Sequence, residues 1–271
     1  SLLGFGSISY LYFADRVAQL PLGIIGIALG TTLLTSLSKS NAIKDEKQFS
    51  KELIISFKIG LFFSIPATFV FMNFSDLIIK VLFERGEFGS QETIQTSKAL
   101  LAYAFGIPAF IMLKSCQPAY LAKGNTKTPM YVGLILLILN ISLSLTLMNY
   151  LKHAGIALAT SIVSWIGIII YMSLLSRNGK ILKLQDWTKK EDLKLVSVMF
   201  YGFKIIFSSS LMVLSMKYIL YLSELNDVTE TLILVVICSF GFFIYILTSY
   251  IFKYIPQELL NSIVLKIKKA K

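Results

Sequence analysis

Seven long apolar segments constrain the fold of this chain more than any other feature of its sequence. A bilayer core of about 30 Å requires roughly 20 mostly apolar residues per helix, and each segment approaches or exceeds that length. The segments cover residues 7–37, 53–79, 97–122, 129–151, 154–175, 195–220 and 231–252. Because they are continuous and lack the alternating pattern of lipid-facing strands, an outer-membrane barrel is excluded. We therefore expect an all-α fold, a polytopic transmembrane bundle of about seven spans.

The composition supports this expectation. Hydrophobic residues make up 55% of the chain and charged residues 15%, and the mean hydropathy is +0.72. Soluble globular domains are less apolar and more charged than this.

The basic residues are distributed unevenly between the two sides of the predicted bundle. The net charge of +11 would suit a protein that binds nucleic acid, but the sequence contains no nucleic-acid-binding motif. Most Lys and Arg residues lie in alternate connections: Lys39, Lys44, Lys47, Lys51, Lys123, Lys127, Arg177, Lys180, Lys183, Lys189, Lys190, Lys194, Lys253, Lys266, Lys268, Lys269 and Lys271. By the positive-inside rule this side is cytoplasmic, so the carboxy terminus lies in the cytoplasm and the chain starts near the outer face. We expect the positive charge to attract anionic membrane lipids and no nucleic acid.

The first residues indicate a longer protein. The chain begins Ser1-Leu2-Leu3-Gly4, with no Met, basic n-region or cleavage site. An odd number of spans that starts outside needs preceding helices to deliver the amino end there. We expect such an amino-terminal part to complete the molecule.

Sequence signals for catalysis are absent. No CxxC, HExxH, P-loop or GxSxG motif occurs, and Cys116 and Cys238 both lie within spans, where cysteine acts as a small apolar residue. We therefore predict no enzyme activity, no catalytic residues, no metal and no cofactor.

Arg16 follows Asp15 inside the first span, where an ionisable group costs at least ~2.5 kcal/mol without a partner or water. One interpretation is that the pair caps the helix at the membrane surface. The other is that Arg16 faces an aqueous cavity and forms a bidentate contact with a phosphate. In that case Gly23, Gly26 and Gly30 allow close helix approach or bending around the cavity.

Lys114 lies well inside the third span, next to Ser115 and close to Gln117 and Pro118. These neighbours favour a hydrated position facing the bundle, while snorkelling towards the inner face is the competing interpretation. Two further intramembrane lysines, in the second and sixth spans, are expected to be interfacial anchors.

Two polar pairs stand one turn apart on neighbouring spans, Asn140 with Ser144 and Thr160 with Ser164. Such pairs usually hold helices together by hydrogen bonds. A weak alkali-cation site built from Asn140, Ser144 and Thr160 is the alternative, because hard cations prefer oxygen ligands.

Several strings resemble the MurJ (MviN) family of lipid II flippases. They are Tyr12-Phe13-Ala14-Asp15-Arg16, Leu20-Pro21-Leu22-Gly23, Gly26-Ile27-Ala28-Leu29-Gly30-Thr31, Leu82-Phe83-Glu84-Arg85-Gly86-Glu87-Phe88, Tyr103-Ala104-Phe105-Gly106-Ile107-Pro108, and the later Lys114, Pro118 and Thr126-Lys127-Thr128-Pro129. The matches occur in order over residues 1–130, whereas residues 195–271 contribute only hydropathy.

The resemblance implies the second lobe of a fourteen-helix flippase of the MOP superfamily, which moves lipid-linked peptidoglycan precursor across the cytoplasmic membrane by alternating access. On that mapping Arg16, with Asp15 beside it, and Lys114 bind the pyrophosphate head group. Glu84, Arg85 and Gly86 form an outer turn or gate.

The same resemblance divides the chain into four parts. They are a second-lobe bundle of five spans over residues 1–175, a basic cytoplasmic loop over 176–194, a helix pair over 195–252 with a groove for the lipid tail, and a basic cytoplasmic tail over 253–271.

One departure from the family pattern bears on the energy source. Some family members bind sodium with an Asn and an Asp one turn apart plus a Thr on the next helix, but here Ser144 stands where the Asp would be. Sodium coupling is therefore doubtful, and coupling to sodium or to the membrane potential stays open. The alternative functions are a polysaccharide-lipid or multidrug exporter of the same superfamily and a non-transporting membrane scaffold.

Overall fold

The computed structural model describes residue 4 and residues 6–177, 195–223 and 229–256. The regular elements of this part of the chain are helices joined by turns, and an isolated antiparallel bridge joins Arg85 and Phe88. The helices are α1 (Ser7–Pro21), α2 (Ile27–Ala42), α3 (Glu46–Phe83), α4 (Ser90–Ala104), α5 (Ile107–Leu121), α6 (Lys127–Leu151), α7 (His153–Arg177), α8 (Leu195–Ser223) and α9 (Glu230–Ile251). A π-helical turn, Leu22–Gly26, joins α1 to α2.

These helices confirm the predicted all-α bundle of about seven spans. Among the described residues, α3, α6, α7, α8 and α9 are each long and apolar enough to cross a membrane. The pair α4 and α5 passes the same test as one span bent by 44°. The first predicted span forms from α1, the π-helical turn and α2, of which neither helix has span length alone.

The helix that contains the second span begins before the apolar segment. Helix α3 has 38 residues and starts at Glu46, whereas the prediction started at residue 53. The Asp45 carboxylate caps it by accepting hydrogen bonds from the backbone N–H groups of Lys47 and Gln48, at 3.1 and 2.9 Å. The charged first turns lie outside the apolar stretch but continue the helix, so the predicted span is contained within α3.

The third span is broken at Phe105–Gly106. Pro108 stands in the first turn of α5, where its missing N–H is not needed. Helix α7 satisfies the backbone carbonyls near the break: Ser161 Oγ donates to Ala102 O at 2.7 Å and Trp165 Nε1 donates to Phe105 O at 3.0 Å. The bend is therefore a hydrogen-bonded feature of the bundle.

Helix α3 forms the centre of the bundle and packs against α2, α4, α5, α8 and α9. Its side chains Phe49, Leu53, Phe62 and Ile79 are fully or almost fully buried. Helix α9 is tied to it by a hydrogen bond from the Tyr245 hydroxyl to Phe62 O at 2.6 Å. By contrast, α6 exposes nearly all of its apolar side chains, as a lipid-facing helix does.

At one end of the bundle the α2–α3 and α5–α6 connections contact each other. Asn41 Nδ2 donates to Ala122 O at 3.1 Å, and Lys123 Nζ lies 4.6 Å from the centroid of the Phe49 ring. Burial lowers the pKa of Lys123, while the nearby Glu46 carboxylate acts in the opposite direction. Both connections belong to the side that the charge pattern makes cytoplasmic.

At the other end the starts of α1, α4 and α7 meet. His153 is buried, with Nε2 2.9 Å from Gln95 O and its ring edge-to-face with Tyr10 at 5.4 Å. Lys80, near the end of α3, forms an ion pair with Glu230 at the start of α9. Alternate connections thus gather at opposite ends, as the charge pattern requires.

Candidate functional site

Helix α1 has one face in the core and one face uncovered by the described part of the chain. Ala14, Val17 and Ala18 are buried. The exposed residues recur every three or four positions and continue into the π-helical turn at Ile24. They form a stripe, which we call the open face of α1: Ile8, Ser9, Tyr12, Arg16, Gln19, Leu20 and Ile24. Arg16 lies in the middle of this face.

The Arg16 guanidinium lies above the Tyr12 ring, with Cζ 4.8 Å from the ring centroid. The side chain therefore extends towards the start of α1, as long side chains on helices do. Asp15 is half-buried and accepts a hydrogen bond from Gln19 Nε2. Within the described residues the guanidinium has no hydrogen bond or ion pair, so its N–H groups are available to an anion.

The π-helical turn follows Pro21 in the middle of the first span. Proline lacks the N–H that an α-helix requires and clashes with the preceding turn, which accounts for an irregularity at this position. Single π-helical turns of this kind are frequent at functional sites. This one ends at Gly26, which is buried.

Lys114 of α5 lies against Gly26. A Cβ atom added at Gly26 would lie 2.7 Å from Lys114 Cδ and 3.4 Å from its Nζ. Lys114 is half-buried, and within the described residues its ammonium has no hydrogen bond or ion pair. The side chain therefore packs against the π-helical turn and does not extend freely into lipid.

The predicted anion-binding residues are not side by side in this structure. Arg16 and Gly26 are ten residues apart, which is roughly 15 Å along a helix. Because Arg16 points away from Gly26 and Lys114 lies on it, the two cations are separated by roughly that distance. Asp15, adjacent to Arg16 in sequence, stays on the Arg16 side.

The predicted outer turn is a tight turn. Gly86 has φ +60, and Phe88 N donates to Arg85 O at 3.2 Å. Arg85 is exposed, and its Nη2 donates to Leu82 O at 3.1 Å within the same turn. Glu84 accepts a hydrogen bond from Thr93 Oγ1 at 2.6 Å, which joins the turn to α4.

Three aromatic rings hold this turn against α1. The centroids of Phe13 and Phe83 are 4.9 Å apart and those of Phe13 and Phe88 are 5.4 Å apart. Phe13 stands three residues before Arg16, so the outer turn is packed onto the helix that carries the open face.

The predicted ion-site residues form a hydrogen-bonded cluster between α6 and α7. Asn140 Nδ2 donates to Thr160 Oγ1 at 3.2 Å, and Ser144 Oγ donates to Asn140 Oδ1 at 3.2 Å. Thr160 Oγ1 donates in turn to Ile156 O at 3.1 Å. These side chains thus form hydrogen bonds with one another or with the backbone, and none of these hydrogen bonds involves a carboxylate.

Hydropathy reasoning missed two cavities. One, of about 350 Å³, lies between α2 and α3 and is lined in part by Glu52, whose Oε1 accepts from Gln48 Nε2 at 2.8 Å. The other, of about 210 Å³, lies between α3, α8 and α9 and is lined by Met212, Met216 and Phe242. A cavity depends on which helices pack against each other, so no local sequence pattern predicts it.

Comparison with known proteins identifies the family. The family model described as "Lipid II flippase MurJ" matches residues 1–224. This chain belongs to the MurJ family. The match includes the open face of α1, the π-helical turn, Lys114, the outer turn and the polar cluster.

Curated MurJ relatives cover about two thirds of this chain. A "Probable lipid II flippase MurJ" of Rickettsia prowazekii (strain Madrid E) is 41% identical over 179 residues, which is 65% of this chain and 35% of that protein. One of Buchnera aphidicola subsp. Acyrthosiphon pisum (strain APS) is 38% identical over 68% of this chain and 36% of its own length. The chain therefore spans little more than a third of the MurJ relatives it matches.

A solved structure agrees with the MurJ assignment. "Lipid II flippase MurJ, inward closed conformation" has a TM-score of 0.74 and 30% identity over 94% of this chain and 48% of that chain. The family and the apolar helices make this chain a multi-pass protein of the bacterial inner membrane.

Proposed function

We propose that this chain is the carboxy-terminal lobe of a flippase that moves lipid-linked peptidoglycan precursor, lipid II, across the cytoplasmic membrane. The precursor crosses the membrane without chemical change. Family membership supports this function, because the relatives that this chain matches are called lipid II flippases. Transport by alternating access requires a second lobe opposite this one.

The observation that carries the proposal is Arg16 on the open face of α1. It is an arginine inside a span, exposed within this lobe, and among the described residues its guanidinium forms no hydrogen bond or ion pair. Such a residue is stable only against water, a ligand or another part of the protein. Arg16 binds the pyrophosphate, Asp15 keeps the local charge balanced, and Lys114 offers a second, separate cation to the cargo.

The orientation follows from the loop charges. The connections with Lys39, Lys44, Lys123 and Lys127 are cytoplasmic, the turn with Arg85 is outside, and the carboxy terminus is in the cytoplasm. The contacts of α2–α3 with α5–α6 support placing both connections on one side.

The apolar cavity between α3, α8 and α9 takes part of the lipid tail. Its lining of Phe63, Val70, Met212 and Met216 is almost entirely apolar, which suits an isoprenoid chain. Surrounding membrane lipids and the amino-terminal lobe are the other partners of this chain.

A depletion experiment tests the proposal. The full-length protein with Arg16→Ala is expected to lose support of growth when the native copy is depleted, and the precursor should accumulate on the cytoplasmic leaflet. Arg16→Lys should restore only part of the activity, because an ammonium lacks the bidentate geometry of a guanidinium.

Lys204→Ala is the matched control, because Lys204 is an exposed cation on α8 and has no role in the proposal. It should leave growth unchanged. Full activity of the Arg16→Ala protein, expressed at normal levels, would refute the proposed role of the open face.

A further inference from the structure

The separation of Arg16 and Lys114 is too large for one phosphate group. Ten residues of helix, roughly 15 Å, lie between Arg16 and the glycine that Lys114 contacts. The Arg16 guanidinium lies over Tyr12, one turn farther from that glycine. Since an N–H···O hydrogen bond spans only about 3 Å, both cations cannot contact the same pyrophosphate in this conformation.

The Lys114 stem occupies space that a side chain at position 26 would fill. Gly26 leaves the space that the Lys114 stem occupies, since a Cβ there would approach Cδ to 2.7 Å. Gly23, in the same π-helical turn, has no atom within 4 Å of its Cβ position. The contact is therefore specific to Gly26, which acts as a positioning residue for Lys114.

The Lys114 ammonium has no anionic partner within the described residues. An uncompensated charge inside a span is costly, and an ammonium offers three hydrogen-bond donors. Its position, fixed by Gly26, is thus suited to an anionic group that arrives with a ligand.

From this geometry we infer that Lys114 forms a second anion subsite, separate from that of Arg16, which takes a carboxylate of the same cargo molecule. The inference rests on the proposed function, because it assumes that Arg16 holds the pyrophosphate. A lipid-linked sugar-peptide carries its pyrophosphate next to the lipid and its carboxylates on the peptide. Such a cargo is long enough for its acidic groups to occupy both subsites together.

Two probes distinguish the subsites in the purified full-length protein. One is the complete lipid-linked precursor, and the other is an isoprenyl pyrophosphate that lacks sugar and peptide. Lys114→Met keeps the length of the stem and removes the charge. It should weaken binding of the complete precursor roughly tenfold or more and leave the isoprenyl pyrophosphate unchanged. Arg16→Gln should weaken binding of both probes.

The role of Gly26 is tested by substitution of the two glycines. Gly26→Ala should reproduce the binding profile of Lys114→Met, and Gly23→Ala should bind both probes like the unchanged protein. Alanine is the better helix former, so a purely helical role for Gly26 predicts no loss. As a readout independent of transport, the NMR signal of the dimethylated Lys114 amine should shift in Gly26→Ala and not in Gly23→Ala.

Each contrary result overturns a different part of the proposal. Equal weakening of both probes by Lys114→Met overturns the second subsite and leaves the proposed function standing. An unchanged amine signal and unchanged binding in Gly26→Ala overturn the positioning role of Gly26. If Arg16→Gln weakens neither probe, the proposed function fails instead.

Discussion

Gly86 has a backbone conformation that favours glycine over other residues. Its φ of +60 lies in the left-handed region, and its Cβ position is open, so any cost of substitution comes from the backbone alone. Gly86→Ala should lower the free energy of unfolding by about 1 kcal/mol, measured as thermal stability of the full-length protein in detergent. Gly86→Asn should cost less, because asparagine tolerates this conformation.

Gly133→Ala provides the comparison, because its Cβ position is also open and it lies inside α6. It should be neutral or slightly stabilising. If Gly86→Ala is equally harmless, the turn does not require glycine and the conformation described here is not the one in solution.

The sequence singled out the charged residues of the candidate site but did not predict their arrangement. Arg16 and Lys114 stood out because charges inside apolar segments are costly. Their separation depends on how α5 packs against the π-helical turn, which is a long-range contact that neither segment encodes by itself. The π-helical turn was also not predicted, although Pro21 and the nearby glycines indicated bending.

At the scale of helices, α6 and α7 form a hairpin in which Gly155 lies against the α6 backbone. A Cβ there would lie 2.4 Å from the backbone oxygen of Leu147, an atom that cannot move without moving α6. Gly155→Ala should therefore destabilise the protein by about 1–3 kcal/mol, which thermal unfolding in detergent measures. Gly133→Ala, on the same hairpin, again serves as the control, and equal stability of the two variants would contradict the packing of α7 on α6.

Most helices were predictable because a bilayer dictates their length. Spans four to seven agree with α6 to α9 to within a few residues at most ends. The break of the third span was missed because hydropathy is continuous across it, although Gly106 and Pro108 are a usual signal for a new helix start. The early start of α3 was missed for the opposite reason, since charged residues continue a helix that hydropathy alone would end.

For the whole molecule, the charge pattern predicts which ends of the helices face the cytoplasm. Glu87 and Lys47 are exposed at opposite ends of α3. In the full-length protein without its native cysteines, Glu87→Cys should react with a membrane-impermeant thiol reagent added to intact cells. Lys47→Cys should react only after the cells are opened, and the reverse pattern would invert the proposed topology.

The central claim is that the open face of α1 lines a water-filled path for an anionic cargo. Tyr12 of this face and Leu137 of α6 are both exposed in this lobe, at 53% and 59%. Only Tyr12 should face water in the complete protein, because α6 faces lipid. The comparison therefore separates a cavity wall from a lipid-facing surface.

The most direct measurement is the reaction rate of Tyr12→Cys and Leu137→Cys with a small, charged thiol reagent in the full-length protein reconstituted in membranes. We expect fast modification at Tyr12→Cys, slowed by the lipid-linked precursor, and little modification at Leu137→Cys. Equally slow modification at both positions, unaffected by the precursor, would contradict it.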